Sequence, residues 1–126
     1  MSKKLMLAAV LMFTAVSLFA APKVQVKQNT KEAACETFLR SLVYGDADAL
    51  FALLTKEDQK DALEEYGSKK KLFKEIEEEA DLDNEVKAQI KTMLNDKAMC
   101  AELVKELLKE VHFKKVGFKW YLDLEE

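Results

Sequence analysis

Residues 111–124 constrain what this chain can fold into more than any other stretch. They read Val-His-Phe-Lys-Lys-Val-Gly-Phe-Lys-Trp-Tyr-Leu-Asp-Leu and hold the only Trp. Apolar and polar residues alternate, so a strand here turns Phe118, Trp120, Leu122 and Leu124 one way and Lys119, Tyr121 and Asp123 the other. Val111 and Phe113 begin a second alternating run upstream, and Gly117 stands where the chain can turn. The spacing therefore predicts a hairpin with one apolar face, covered by helices.

Nearly everything before the hairpin has helical spacing. Three Gly and one Pro are too few for a sandwich or barrel rich in turns, and they suit helices joined by short connections. Asn29 with Glu32 three residues on opens a first helix, with Ala34, Cys35, Phe38, Leu39, Leu42 and Val43 on its apolar side and Glu36 and Arg40 spaced as an ion pair on the other. Gly45 ends it and Asp46 caps a short second helix carrying Leu50, Phe51, Leu53 and Leu54. Thr55, Ser68 and Asp83 are caps for three more, with Leu63 and Tyr66, then Leu72, Phe73, Ile76 and Ala80, then Val86, Ile90, Met93 and Leu94 facing inward. Asn95-Asp96 either breaks the last of these or is crossed by it. Met99, Cys100, Leu103, Val104, Leu107, Leu108 and Val111 form the strongest helical stripe and run into the hairpin.

The expected fold is thus mainly α with a C-terminal β-hairpin, helices packed on the apolar face of a small antiparallel sheet. Its core is expected to include Phe38, Leu42, Leu103, Leu107, Phe118, Trp120 and Leu122. The expected organisation is a signal peptide at 1–21, a loose leader at 22–28 and one domain at 29–126 with its hairpin at 111–124. Lys3 and Lys4 precede an uncharged run that ends at Ala21, the pattern of a secretory signal. The favoured cut follows Ala20 or Ala21, and an uncleaved anchor is the alternative. Export to the periplasm or outside the cell follows, with membrane contact only through that segment before cleavage. Cleavage removes two lysines and no acid, taking the formal charge from −3 to −5, which gives no support for nucleic-acid binding.

Cys35 and Cys100 are the only cysteines, both on apolar stripes, and in an oxidising compartment a disulfide between them is expected, with buried free thiols as the alternative. No Cys-x-x-Cys spacing exists for redox chemistry. The acidic run from Glu75 to Glu85 fails as a calcium loop, because counting from Asp81 puts Val86 where Gly belongs and Thr92 where Glu belongs. His112 is the only His, so neither a zinc set nor a Ser-His-Asp arrangement can be built round it. Lys69-Lys70-Lys71 reads as a helix-start charge run, with acidic headgroups as the sharper alternative. No catalytic, cofactor-binding or metal residue is assigned.

Two stretches carry a resemblance. The pattern Ala34-x-x-x-Phe38-Leu39-x-x-Leu42-x-x-Gly45-Asp46-x-x-x-Leu50, with Lys115-Val116-Gly117-Phe118-Lys119-Trp120-Tyr121-Leu122 at the other end, resembles exported small proteins of the nuclear transport factor 2-like superfamily, a cystatin-like curved-sheet group. The resemblance implies helices packed in the concave face of a curved antiparallel sheet, in a superfamily spanning isomerase-type enzymes and non-catalytic binding domains. Residues 56–110 read as helix where strands of that sheet belong, so the form implied here is a reduced one. The functional expectation is an exported non-catalytic binding or accessory protein, acting on a partner protein or small ligand through a groove beside the hairpin. The alternatives are a structural or cell-envelope interaction protein, or a small isomerase- or hydrolase-type enzyme.

Overall fold

A computed structural model describes residues 23–124, and the signal segment expected at 1–21 lies outside them. Among the described residues the order is α1 (Lys31–Tyr44), α2 (Ala47–Ala52), α3 (Lys56–Tyr66), α4 (Lys69–Ala80), α5 (Asn84–Leu94), α6 (Lys97–Leu107), β1 (Phe113–Val116) and β2 (Lys119–Leu122). The chain is mainly helical with a C-terminal hairpin, as its periodicity implies. Among the described residues the sheet has two strands, β1 and β2. No helix of the described residues is long and apolar enough to cross a membrane.

Side-chain caps explain where the helices start. Asp46, Thr55, Ser68, Asp83 and Asp96 accept hydrogen bonds from backbone N–H groups in the first turns of α2 to α6, satisfying donors that have no partner inside the helix. Asp96 thus breaks the helical run at a point where the spacing left two readings open. α1 is capped by Thr30, one residue later than Asn29. Gly45 ends it at φ 72°, a left-handed conformation that a side chain would strain.

The double width of α1's apolar side decides the packing. Ala34, Phe38 and Leu42 face one cluster, joined by Leu50, Phe51, Leu53, Leu54, Ala62, Leu72 and Leu122. Cys35, Leu39 and Val43 face a second, with Leu94, Cys100 and Val104. One helix therefore serves as the wall between two cores, and all members of both lie within residues 34–122.

Strand β2 is held on both edges. Its pairing with β1 runs from Phe113↔Leu122 to Val116↔Lys119. On the far edge the Trp120 N–H donates to the Gln28 carbonyl (2.8 Å) and the Leu122 N–H to the Leu53 carbonyl (2.8 Å). The Gln28 side-chain amide donates back to the Trp120 carbonyl at 2.9 Å. The segment expected to be a loose leader is thus docked. The Lys27 N–H donates to Thr37 Oγ1 (3.1 Å) and the Val24 N–H to Asp46 Oδ2 (2.9 Å), so residues 24–28 run back along α1.

Several side chains differ from the pattern. Phe118, expected in the core, is 93% exposed. The register leaves Gly117 and Phe118 as a two-residue turn, with Gly117 at φ 67°, so the alternation ends at Lys119 and Phe118 belongs to neither strand. Trp120 is half-buried at the margin of the first cluster, 5.6 Å from the Lys31 ammonium, and Leu122 at 3% exposure is the residue that seats the hairpin. Leu124 is 42% exposed. The hairpin rests on α1, where Phe38 and Phe113 meet edge to face at 6.3 Å. Phe38 and Leu42 are buried as expected, and Leu103 and Leu107 are half-buried, Leu107 touching both clusters. Leu63 and Met99 point to solvent, and Ala62 takes the inward place on α3.

Candidate functional site

Among the described residues a large concavity lies between α1 and α6, on the side of the second cluster. It is a groove of about 880 Å³, within the ~300–1,000 Å³ typical of ligand sites. The sequence explains why it is open. On α6, Lys97, Ala101, Val104, Lys105 and Leu108 fall at helical spacing on one face, and Glu32, Ala33, Glu36 and Arg40 line the facing side of α1. Ala33 and Ala101 have no bulk to fill the space between two helices held apart by Cys35, Leu39 and Val104.

Arg40 organises the inner end. Its Nε donates to Glu36 Oε2 at 2.8 Å, and a terminal guanidinium nitrogen donates to the Leu94 carbonyl at 3.1 Å. That carbonyl belongs to the last residue of α5, where a cation complements the helix dipole. The rest of the rim is Lys27, Lys97 and Lys105 against Glu32, so cations exceed carboxylates. Thr37 and Ser41, buried on α1, bond to backbone carbonyls one turn back, and Thr37 also holds the leader. A second recess of about 330 Å³, lined in part by leader residues Lys23, Val24 and Gln25, shares Lys27, Ala33, Glu36 and Arg40 with the groove.

The two cysteines meet here without bonding. Both are buried free thiols, which corrects the disulfide expected between Cys35 and Cys100. Helical spacing turned both inward, as read, but the pairing depends on direction as well as depth. Cys35 Sγ points to the carbonyl of Val104, one turn beyond Cys100, at 3.9 Å, whereas Cys100 faces Glu36 and Arg40. Burial, reinforced by Glu32, Cys100 and Glu36, pushes the Cys35 thiol up to about 12. Burial also raises Cys100, with Glu36 adding to the effect and Arg40 opposing it. Both sulfurs are held as neutral thiols at ordinary pH, a poor state for a nucleophile.

Other candidate residues lie elsewhere. His112 borders a small recess of about 180 Å³ beside the hairpin, with Glu79, Glu110 and Asp123. That recess adjoins the hairpin, whereas no hairpin residue lines the main groove. Among the described residues no group of three or more His, Cys, Asp or Glu is placed to hold a metal ion. The acidic run is divided among structural tasks, Glu77 pairing with Lys87 across α4 and α5 and Asp83 capping α5. In the lysine run, Lys69 reaches Asp48 at 3.3 Å and lies 5.1 Å from the Phe51 ring centre. The groove itself was missed by helical periodicity, because Glu36 and Arg40 read as an exposed ion pair. The signal that could have found it was the second apolar stripe of α1, which needed a second helix to cover it. Comparison of the chain with protein-family models, curated proteins and solved structures finds no match in any of the three.

Proposed function

We propose that this is an exported, non-catalytic binding protein that takes an elongated amphipathic ligand, with an apolar body and an anionic end, into the α1–α6 groove. The observation that carries this reading is the composition of that groove: a floor of Ala33, Leu94, Cys100, Ala101, Val104 and Leu108 under a rim with a surplus of cations. The acid nearest its cysteine is engaged with the arginine beside it. Glu36 and Arg40 are paired, and Cys100 is a neutral thiol, which leaves no activated nucleophile and base in the groove. On the same reading the chain is a reduced relative of the nuclear transport factor 2-like superfamily, its helices closed by a hairpin alone. Export rests on the charged, apolar and small-residue order of its first residues.

Titration with dodecanoate and with anilinonaphthalene sulfonate tests the reading. Both should bind saturably at one site, and Ala101→Phe, which fills the groove from an exposed helical position, should abolish binding while the melting temperature stays within a few degrees. Lys97→Glu together with Lys105→Glu should weaken dodecanoate more than an uncharged alkyl alcohol of equal length. Undiminished binding to Ala101→Phe would overturn it.

A further inference from the structure

The hairpin tip carries a side chain for which the fold has no use. Phe118, in the hairpin turn, is 93% exposed, and Val116, the last residue of β1, is 51% exposed. The turn itself needs only Gly117 in its left-handed conformation, and a small polar residue would serve at 118. Lys115 and Lys119 flank the turn, both exposed and neither in an ion pair among the described residues. In the register, Lys115 pairs across from Trp120 and Lys119 across from Val116, so the two cations stand on opposite faces of the hairpin and straddle Phe118. The tip is also rigidly presented, because β2 is bonded to β1 on one edge and to Gln28 and Leu53 on the other.

We propose that this tip is a reversible anchor for an anionic lipid surface, with Phe118 and Val116 entering the headgroup–acyl boundary and Lys115 and Lys119 meeting the lipid phosphates on either side. Charge complementarity selects that occupant. The chain as a whole is acidic, formally −3, so an anionic surface attracts its basic stretches, and the tip joins such a stretch to the exposed Phe118 and Val116. Lysines straddling an apolar apex can extend their stems along a planar interface and keep their charges at headgroup level. Half-buried Trp120, with Lys31 near its ring, lies just behind and suits the same level. A second copy is a poor receptor, since the rim of the α1–α6 groove is itself rich in cations.

The test uses the sole Trp as reporter. The full chain and a form beginning at residue 22, which retains both apolar clusters, are mixed with vesicles of phosphatidylcholine alone or with 30% phosphatidylglycerol by mole. Co-sedimentation and Trp120 emission are read, with brominated acyl chains as a depth-dependent quencher. For the form beginning at residue 22, binding with a blue shift and quenching on anionic vesicles only, weakening as salt rises, is expected, and the full chain serves as the bilayer-inserted reference. Phe118→Ala should lower the partition coefficient of the shorter form about tenfold or more, and each of Lys115→Gln and Lys119→Gln about fivefold. Phe118→Trp should preserve binding. All of these variants should melt as the parent does, since none of the three side chains is buried. For that shorter form, an unchanged Trp120 spectrum on anionic vesicles, equal partitioning of Phe118→Ala, or equal binding to the neutral vesicles would overturn the proposal. So would capture of an acidic protein or an oligonucleotide through the same residues while vesicles leave Trp120 unaffected.

Discussion

The two sides of α1 share one helix and differ in almost everything packed on them. Toward Phe38 and Leu42 lies a leucine-rich core in which Leu50, Leu53 and Leu54 are at most 1% exposed and the hairpin's Leu122 closes the far end. Toward Cys35 and Val43 lies a thinner layer of smaller side chains that opens onto a groove edged by Arg40, Lys97 and Lys105. Large, interdigitated side chains maximise the area removed from water, whereas small ones at a helix–helix seam leave room for something else. Burial is thus concentrated on one side, and the open groove lies on the other.

The sharpest way to break that comparison is to truncate both sides. Leu53→Ala, a fully buried residue, should cost about 2–5 kcal/mol in urea unfolding, and Val104→Ala in the second cluster only about 1–2 kcal/mol. Equal costs would mean that the groove side is as tightly packed as the other.

Alkaline pH probes the groove side through Cys35. The Cys35 thiol has its ordinary value near 9 when unfolded and about 12 when folded, so the folded state holds that proton more tightly. Its contribution is complete below pH 9 and is lost as pH rises from 9 through 12, at up to about 1.4 kcal/mol per pH unit. Cys35→Ala should therefore have a shallower decline in stability across that window, measured by denaturant midpoints, than the parent. A parallel decline would show that Cys35 is not shielded as described.

Asp46 joins the two sides, capping α2 through Oδ1 and holding the Val24 N–H through Oδ2. Asp46→Ala should cost about 0.5–2 kcal/mol and speed amide hydrogen exchange at Val24 before it does so in α1. At the small end, Leu63→Ser removes an apolar residue that faces solvent and should change stability by no more than about 0.5 kcal/mol. A larger loss would place Leu63 in a contact that sharpens the edge of the leucine-rich side.

Most of the helix starts were legible because capping is local: a Thr, Ser or Asp bonds to an N–H two or three residues on, within reach of the same short stretch of chain. Leu63 and Met99 were misplaced because spacing specifies a face and cannot say how far a neighbour covers it. Phe118 was misplaced for a related reason, since period-two alternation holds only while the chain stays extended, and the register ended β1 at Val116. The candidate site was half legible. Glu36 and Arg40 were recognisable as a pair, but their place at a groove depends on α6 lying alongside α1.

By itself, then, the sequence determined the properties that depend on near neighbours along the chain: a helical body, most of its caps, a terminal hairpin turning at Gly117, and two inward-facing cysteines. Only the tertiary structure decided that Cys35 turns to Val104 and not to Cys100, that the leader binds β2 and α1, and that α1 divides two cores. Those outcomes depend on how far one helix is translated and rotated against another. A shift of one helical turn preserves every periodic pattern and changes every partner.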